Sequence, residues 1–211
     1  MTNNPSHEKT SKADYATATL QIFHNSAKLQ IRYMAVSWAD SRSPGQPNLA
    51  QISNFFACVD LIEAIFATFN NIALADYIGV PFTIFSQLRL CLGILLQLST
   101  MDRLGWDKME VRRRIDVLTV ADQMADNFSR ASALYSGGDE RPDRGDESGD
   151  PLARTAEHLQ LMRNAFAAKV EQSDGEGAAF APTPTSAEDI SLIELPDMAD
   201  FLDLDWLVGM I

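Results

Sequence analysis

PFTIFSQLRLCLGILLQLSTMDRLGWDKMEVRRRIDVLTVADQMADNF, running from Pro81 to Phe128, is the stretch that decides the fold. In its first part Leu88, Cys91, Leu92, Leu95 and Leu98 recur at helical spacing, and Leu90 and Ile94 widen that stripe until it nearly encircles the helix. A helix apolar almost all round belongs inside a protein or inside a membrane. A short polar turn built round Asp102, Gly105 and Trp106 follows, and then a second, more amphipathic helix expected to end near Tyr135. The pair reads as the centre of a helical bundle.

Outward from this centre the pattern stays helical. Between Lys12 and Ala39, Tyr15, Leu20, Phe23, Ala27, Ile31 and Met34 recur at steps of three to five residues and mark the expected buried face. Ser41 to Pro47 reads as a loop because Pro44, Gly45 and Pro47 oppose a continuing helix. Asn48 is a candidate N-cap for the next helix, expected to reach about Ala75 with Leu49, Ile52, Phe56, Val59, Ile62, Phe66 and Phe69 on one side. Gly79 and Pro81 close it. Leu152 to Glu171 returns to helix, with Leu159, Met162, Phe166 and Val170 on one face. No strand-period alternation is long enough to suggest a sheet. The expected fold is all-α, a bundle of about five helices with a disordered acidic linker and C-terminal tail.

The 46% apolar content allows a real core, and the net charge of −12 is unevenly placed. Residues 1–135 hold 12 Lys/Arg against 12 Asp/Glu, whereas residues 136–211 hold 5 against 17. A neutral globular part therefore precedes an acidic one. The expected organisation is a disordered N-terminus over 1–11, a helical domain over 12–135, an acidic Gly-rich linker over 136–151, an additional helix over 152–172, a linker over 173–187 and a tail over 188–211. A chain this acidic is not expected to contact nucleic acid through bulk electrostatics. The opening MTNNPSHEKTSK has no apolar h-region of a secretory signal.

Membrane insertion is not expected. Phe55 to Ala75 has about the length of a span, but Asp60, Glu63, Asn70 and Asn71 interrupt it. Ile84 to Leu98 is too short and contains Gln87 and Arg89.

Candidate chemistry is sparse. Cys58 and Cys91 lie in apolar helical runs and read as buried free thiols in a reducing compartment, with a disulfide as the alternative. His7, His24 and His158 are far apart and lack ligand spacing, so no metal site and no cofactor is expected in this chain. Asp60 and Glu63 share a helix face and read as part of a polar stripe with Asn70 and Asn71 rather than as an acid–base pair. The Arg112-Arg113-Arg114 run has Asp107, Glu110 and Asp116 at helix spacing, which makes a solvated or locally paired face the better reading than a phosphate site or a nuclear-localisation patch. Gly137-Gly138 lies in a charged linker, not between a strand and a helix, so it is no nucleotide loop. No catalytic constellation emerges, and the chain is not expected to be an enzyme.

The tail reads EDISLIELPDMADFLDLDWLVGMI, Glu188 to Ile211. Acidic–hydrophobic alternation is the composition of transcriptional activation segments, whose carboxylates keep apolar residues solvated until a grooved partner accepts them. Phe201, Leu202, Leu204, Trp206 and Leu207 are the candidate partner-binding residues. The alternative is a terminal helix docked back on the bundle, with Trp206 as its anchor.

Several of these features coincide in one family. The order of Pro81, a Leu-rich run through Leu95, Leu96, Leu98 and Ser99, then Trp106-Asp107, then Arg114-Ile115-Asp116, and a tail with Trp206-Leu207, resembles the C-terminal regulatory part of fungal transcription factors of the binuclear zinc cluster type. The resemblance covers roughly residues 13–135 and 188–211. It implies a nuclear, transcription-regulatory role, a coactivator or other regulator as partner of the tail, and leaves homodimerisation open. That family reads DNA through an N-terminal six-cysteine cluster holding two zinc ions. The only cysteines here are Cys58 and Cys91, so zinc and DNA contacts attach to the family and to no residue of this sequence. The rival expectations are an interaction or inhibitory module without an activation role, and a small-molecule-binding helical protein with its pocket between the central helices.

Overall fold

The structure is a computed structural model and describes residues 5–40, 49–136 and 150–176. Among these residues there is no strand. Six helices follow one another: α1 (Pro5–Asp40), α2 (Leu49–Asn70), α3 (Phe82–Thr100), α4 (Lys108–Arg114), α5 (Val117–Ser136) and α6 (Pro151–Glu176), with a 3-10 turn over Leu74–Gly79. The all-α bundle is as expected. The expected loop at Ser41 to Pro47, the Asn48 cap, most of the acidic linker and the whole of the tail lie outside the described residues.

α3 is the axis. Leu88, Cys91, Leu92, Leu95 and Leu98 are all fully buried, and Ile94 and Leu96 nearly so. α1, α2, α5 and α6 all pack against it or against each other around it. α6 shares this core through Leu152, Ala156, Leu159, Met162 and Phe166. Asp150 fixes its start, accepting from the Leu152 amide at 2.9 Å and from the Ser132 hydroxyl of α5 at 2.5 Å. By length and composition α2 and α3 are each long and apolar enough to cross a membrane. In this fold their apolar faces make the common core.

Four expectations need correction. The helix after the central turn is broken: α4 ends at Arg114, Ile115 takes an extended conformation, and Asp116 starts α5 by accepting from the Thr119 amide at 2.9 Å and its hydroxyl at 2.7 Å. An Asp offers its own backbone this alternative to a continuing helix. α2 stops at Asn70 rather than near Ala75, because the next residues form the 3-10 turn that buries Tyr77 among Phe69 and Phe128, with ring centroids at 5.1 and 5.3 Å. Leu49, assigned to the core face of α2, is 82% exposed. Finally, α1 buries a different stripe from the expected one: Ile22, Ser26, Leu29 and Val36 face inward, while Leu20, Phe23, Ile31 and Met34 face out. Both stripes have helical period, and the inward one carries a serine, so counting apolar residues favoured the wrong face.

Candidate functional site: the α4 junction and its surroundings

The residues from Met101 to Asp116 form the densest polar junction of the bundle. Gly105 adopts φ of 81°, a left-handed conformation that glycine reaches without strain, and so lets the chain reverse after α3. Trp106 then turns back. Its ring lies against Phe55 and Phe56 of α2, with centroids at 5.3 and 4.8 Å, and its Nε1 donates to the Leu98 carbonyl at 2.9 Å. That carbonyl belongs to the last turn of α3, where no intrahelical donor remains. Asp107 caps α4 by accepting from the amides of Met109 and Glu110, both at 3.0 Å.

The three arginines of α4 point in three directions. Arg112 donates from Nε to the Ser99 carbonyl at 2.8 Å and from Nη1 to both carboxylate oxygens of Asp174 in α6, at 2.9 and 3.0 Å. Arg113 stays on the surface and pairs locally with Glu110 at 2.7 Å. Arg114 reaches α2: its Nη2 donates to Asp60 Oδ1 and Glu63 Oε2, each at 2.6 Å, and its Nε to Glu63 Oε1 at 3.1 Å. Lys108 donates to the carbonyl and hydroxyl of Ser173, both at 3.0 Å, and pairs with Asp102 at 2.9 Å. Seven residues of α4 thus tie α2, α3 and α6 together.

This corrects the local reading of the arginine run, which holds for Arg113 alone. It also accounts for Asp60 and Glu63 in an apolar helix. Two carboxylates on one face of an otherwise apolar helix mark a place for a cation without naming it, and the fold brings Arg114 there. The hydrogen bonds it donates to Glu63 first, and then to Asp60, hold the guanidinium still more firmly protonated than usual. The two carboxylates therefore anchor α4 to α2 through charge-assisted hydrogen bonds from Arg114. Asn70 continues the polar stripe as expected, accepting from Asn127 and donating to Gln123 of α5.

The thiols are inert by their surroundings. Burial pushes Cys58 up to about 11 and Cys91 up to about 12, and both are free. A thiolate is the metal-binding and nucleophilic form, so these two residues do not fit a zinc ion or a nucleophile. Among the described residues no three His, Cys, Asp or Glu side chains gather as a metal site. A crevice between α3, α5 and α6 is lined by Phe85, Arg89, Phe128 and His158, among others, and encloses about 30 Å³. That is room for one or two waters. Burial, and then the Arg89 charge, lowers the His158 pKa. The candidate residues Phe201, Leu202, Leu204, Trp206 and Leu207 lie outside the described residues.

Among the described residues, the motif residues behind the family resemblance serve the core and its joints: Pro81 precedes α3, Leu95, Leu96 and Leu98 fill the core, and Trp106, Asp107, Arg114 and Asp116 make the turns and clamps. A family model, ATEG07667_C, described as a C-terminal domain, matches residues 74–211. The chain belongs to this C-terminal domain family. The matched region begins at the 3-10 turn and holds Arg114 but not its partners Asp60 and Glu63. The chain is also similar to the transcription factor opdL of Penicillium oxalicum, with 24% identity over 159 residues, 75% of this chain and 27% of that protein. It spans about a quarter of that relative's length. The resemblance to the regulatory part of a fungal transcription factor thus rests on both comparisons. No solved structure matches the chain.

Proposed function

We propose that this chain is the non-DNA-binding regulatory and activation part of a fungal zinc-cluster-type transcription factor, that it acts in the nucleus, and that it is not an enzyme. The observation that carries the reading is that one C-terminal domain family spans α3 to α6 together with the acidic tail, in a chain similar to a transcription factor. The chemistry supports it: the conspicuous charged residues serve as joints, and the thiols stay protonated. The bundle is the rigid part. The tail is the recruiting part, with Phe201, Leu202, Leu204, Trp206 and Leu207 as the contacts offered to a coactivator.

The test is a reporter driven by residues 188–211 fused to a foreign DNA-binding domain. Activation by the wild-type tail, and its fall to background with Phe201→Ala and Trp206→Ala together, is the expected result. Unchanged output from the double variant removes the activation role. A second reading, an interaction module without an activation role, is favoured by the exposed face of α1. Capture of a full-length relative by the bundle alone, with a silent tail, would favour it.

A further inference from the structure

α1 carries two apolar stripes, and the bundle uses one of them. Opposite the buried Ile22, Leu29 and Val36, the side chains of Leu20, Phe23, Ile31 and Met34 are 70%, 36%, 69% and 55% exposed, with exposed Ala27 between them. At 3.6 residues per turn these five positions fall within an arc of about 80°, so they form one continuous ribbon. Four of the eleven exposed large apolar side chains among the described residues lie on it. Exposed apolar residues are normally scattered singly, and a contiguous patch marks a contact surface. The ribbon is also basic at its edge. Between Tyr15 and Val36 the sequence has Lys28, Arg32 and His24 but no carboxylate. Lys28 is exposed beside the ribbon on the same side as His24. Arg32 is further round, its Nη1 donating to Asn54 Oδ1 of α2 at 3.1 Å.

We propose that the chain's own tail, residues 188–211, is the occupant of this ribbon. Its apolar side chains would cover Leu20, Phe23, Ile31 and Met34, and its carboxylates would face His24 and Lys28. Chemistry and position both select it. Met198, Phe201, Leu202 and Trp206 stand at i, i+3, i+4 and i+8, the spacing of a helix that lays one face in a groove. Residues 188–211 hold seven carboxylates and no Lys or Arg, so the tail answers the ribbon in both polarity and charge. Over the ribbon itself, from Tyr15 to Val36, a second copy of α1 offers apolar surface but no carboxylate to meet Lys28.

Position agrees. The Ser173 hydroxyl of α6 donates to the Thr100 carbonyl at the C-terminal end of α3, at 3.0 Å. Tyr33 of α1 donates to Gln97 in the same last turns of α3. The chain therefore leaves α6 at the end of the bundle where Ile31 and Met34 lie. The twelve residues from Glu176 to Glu188 extend at most about 40 Å, several helix diameters.

Docking itself does not depend on the transcription reading; only its consequence does. A seated tail withholds Phe201 and Trp206 from a coactivator, and release of the tail presents them.

Amide hydrogen exchange on the intact chain tests this. Amides of residues 198–208 are expected to exchange about tenfold or more slowly than a free peptide in the wild type, and to lose that protection with Leu20→Glu and Ile31→Glu together. Both positions are exposed, so the bundle should stay folded, its urea midpoint falling only by what the lost docking contributes. Lys28→Glu should release the tail in part. In the converse variant, Phe201→Ala with Trp206→Ala, the Leu20, Ile31 and Met34 methyl resonances should shift to solvent-exposed values. Free-peptide exchange in the wild type, or protection that survives the double glutamate variant, overturns the proposal. Protection that fades on dilution together with a dimer-to-monomer transition in light scattering assigns the ribbon to a second copy and overturns it equally. A tail that docks but fails the reporter test leaves this inference standing and removes the activation role.

Discussion

Replacing Arg114 by methionine asks whether α4 is held to α2 by charge. Side-chain exposure is 26% for Arg114, 35% for Glu63 and 63% for Asp60, so the Glu63 arm is sheltered and the Asp60 arm is nearly a surface pair. A surface pair contributes about 0.2–1 kcal/mol. A bidentate, partly buried, charge-assisted pair contributes about 1–2 kcal/mol. Methionine keeps the apolar stem, so the loss of roughly 2 kcal/mol reports hydrogen bonds and charge rather than packing. The assay is urea unfolding followed by far-UV circular dichroism, on a double-mutant cycle with Glu63→Gln. Glu63→Gln should cost about 1 kcal/mol in the wild type but under about 0.5 in the Arg114→Met background, because the partner has already gone. Arg114→Lys should keep about half of the stabilisation, since a single ammonium cannot span both carboxylates as a planar fork does. Molar salt should shrink the Asp60 contribution first. A cost below about 0.5 kcal/mol for Arg114→Met, or a coupling of zero, refutes the argument. α4 would then be seated by Trp106, Lys108, Val111 and Arg112.

Trp106 separates packing from hydrogen bonding. Trp106→Phe keeps a ring against Phe55 and Phe56 but leaves the Leu98 carbonyl without its donor, at about 1 kcal/mol; Trp106→Ala also loses the ring, at about 3 kcal/mol and roughly 6–12 °C in Tm. Equal losses in thermal unfolding would show that the split is wrong. On the alkaline side, burial raises Cys58 from 9.0 to about 11, Cys91 from 9.0 to about 12, and Tyr33 and Tyr77 from 10.0 to about 12. Raised folded values mean that this stability is complete below pH 9 and is lost as pH climbs through 11 to 12, because the unfolded chain deprotonates first. Urea titrations at pH 8, 9.5 and 11 should show a falling midpoint, and both thiols should resist a disulfide reagent at pH 8 until the chain unfolds. A midpoint that does not move between pH 8 and 11 contradicts the burial of these groups.

The central helix was the most legible part. A stripe such as Leu88–Leu92–Leu95 that nearly encircles its helix leaves only the interior as its place, whatever the partners are. The Gly105–Trp106 turn was legible for a similar reason, since its residues restrict the backbone locally. The break at Ile115–Asp116 was less so, because the amphipathic pattern runs straight through it and a single Asp cap decides it. The fate of Asp60, Glu63 and Arg114 was not legible as a cluster, because the partners lie more than fifty residues apart and periodicity carries no information about pairs at that distance.

The sequence by itself determined an all-α chain, the buried identity of α3, buried unpaired thiols, and the split between a neutral helical part and an acidic tail. These follow from local period and composition, which act within a few residues. Tertiary structure alone decided which of the two stripes of α1 is buried, and that the three arginines of α4 serve three different neighbours. A helix with two apolar faces is chosen by the surface it meets, and a charge by the partner that the fold brings within reach.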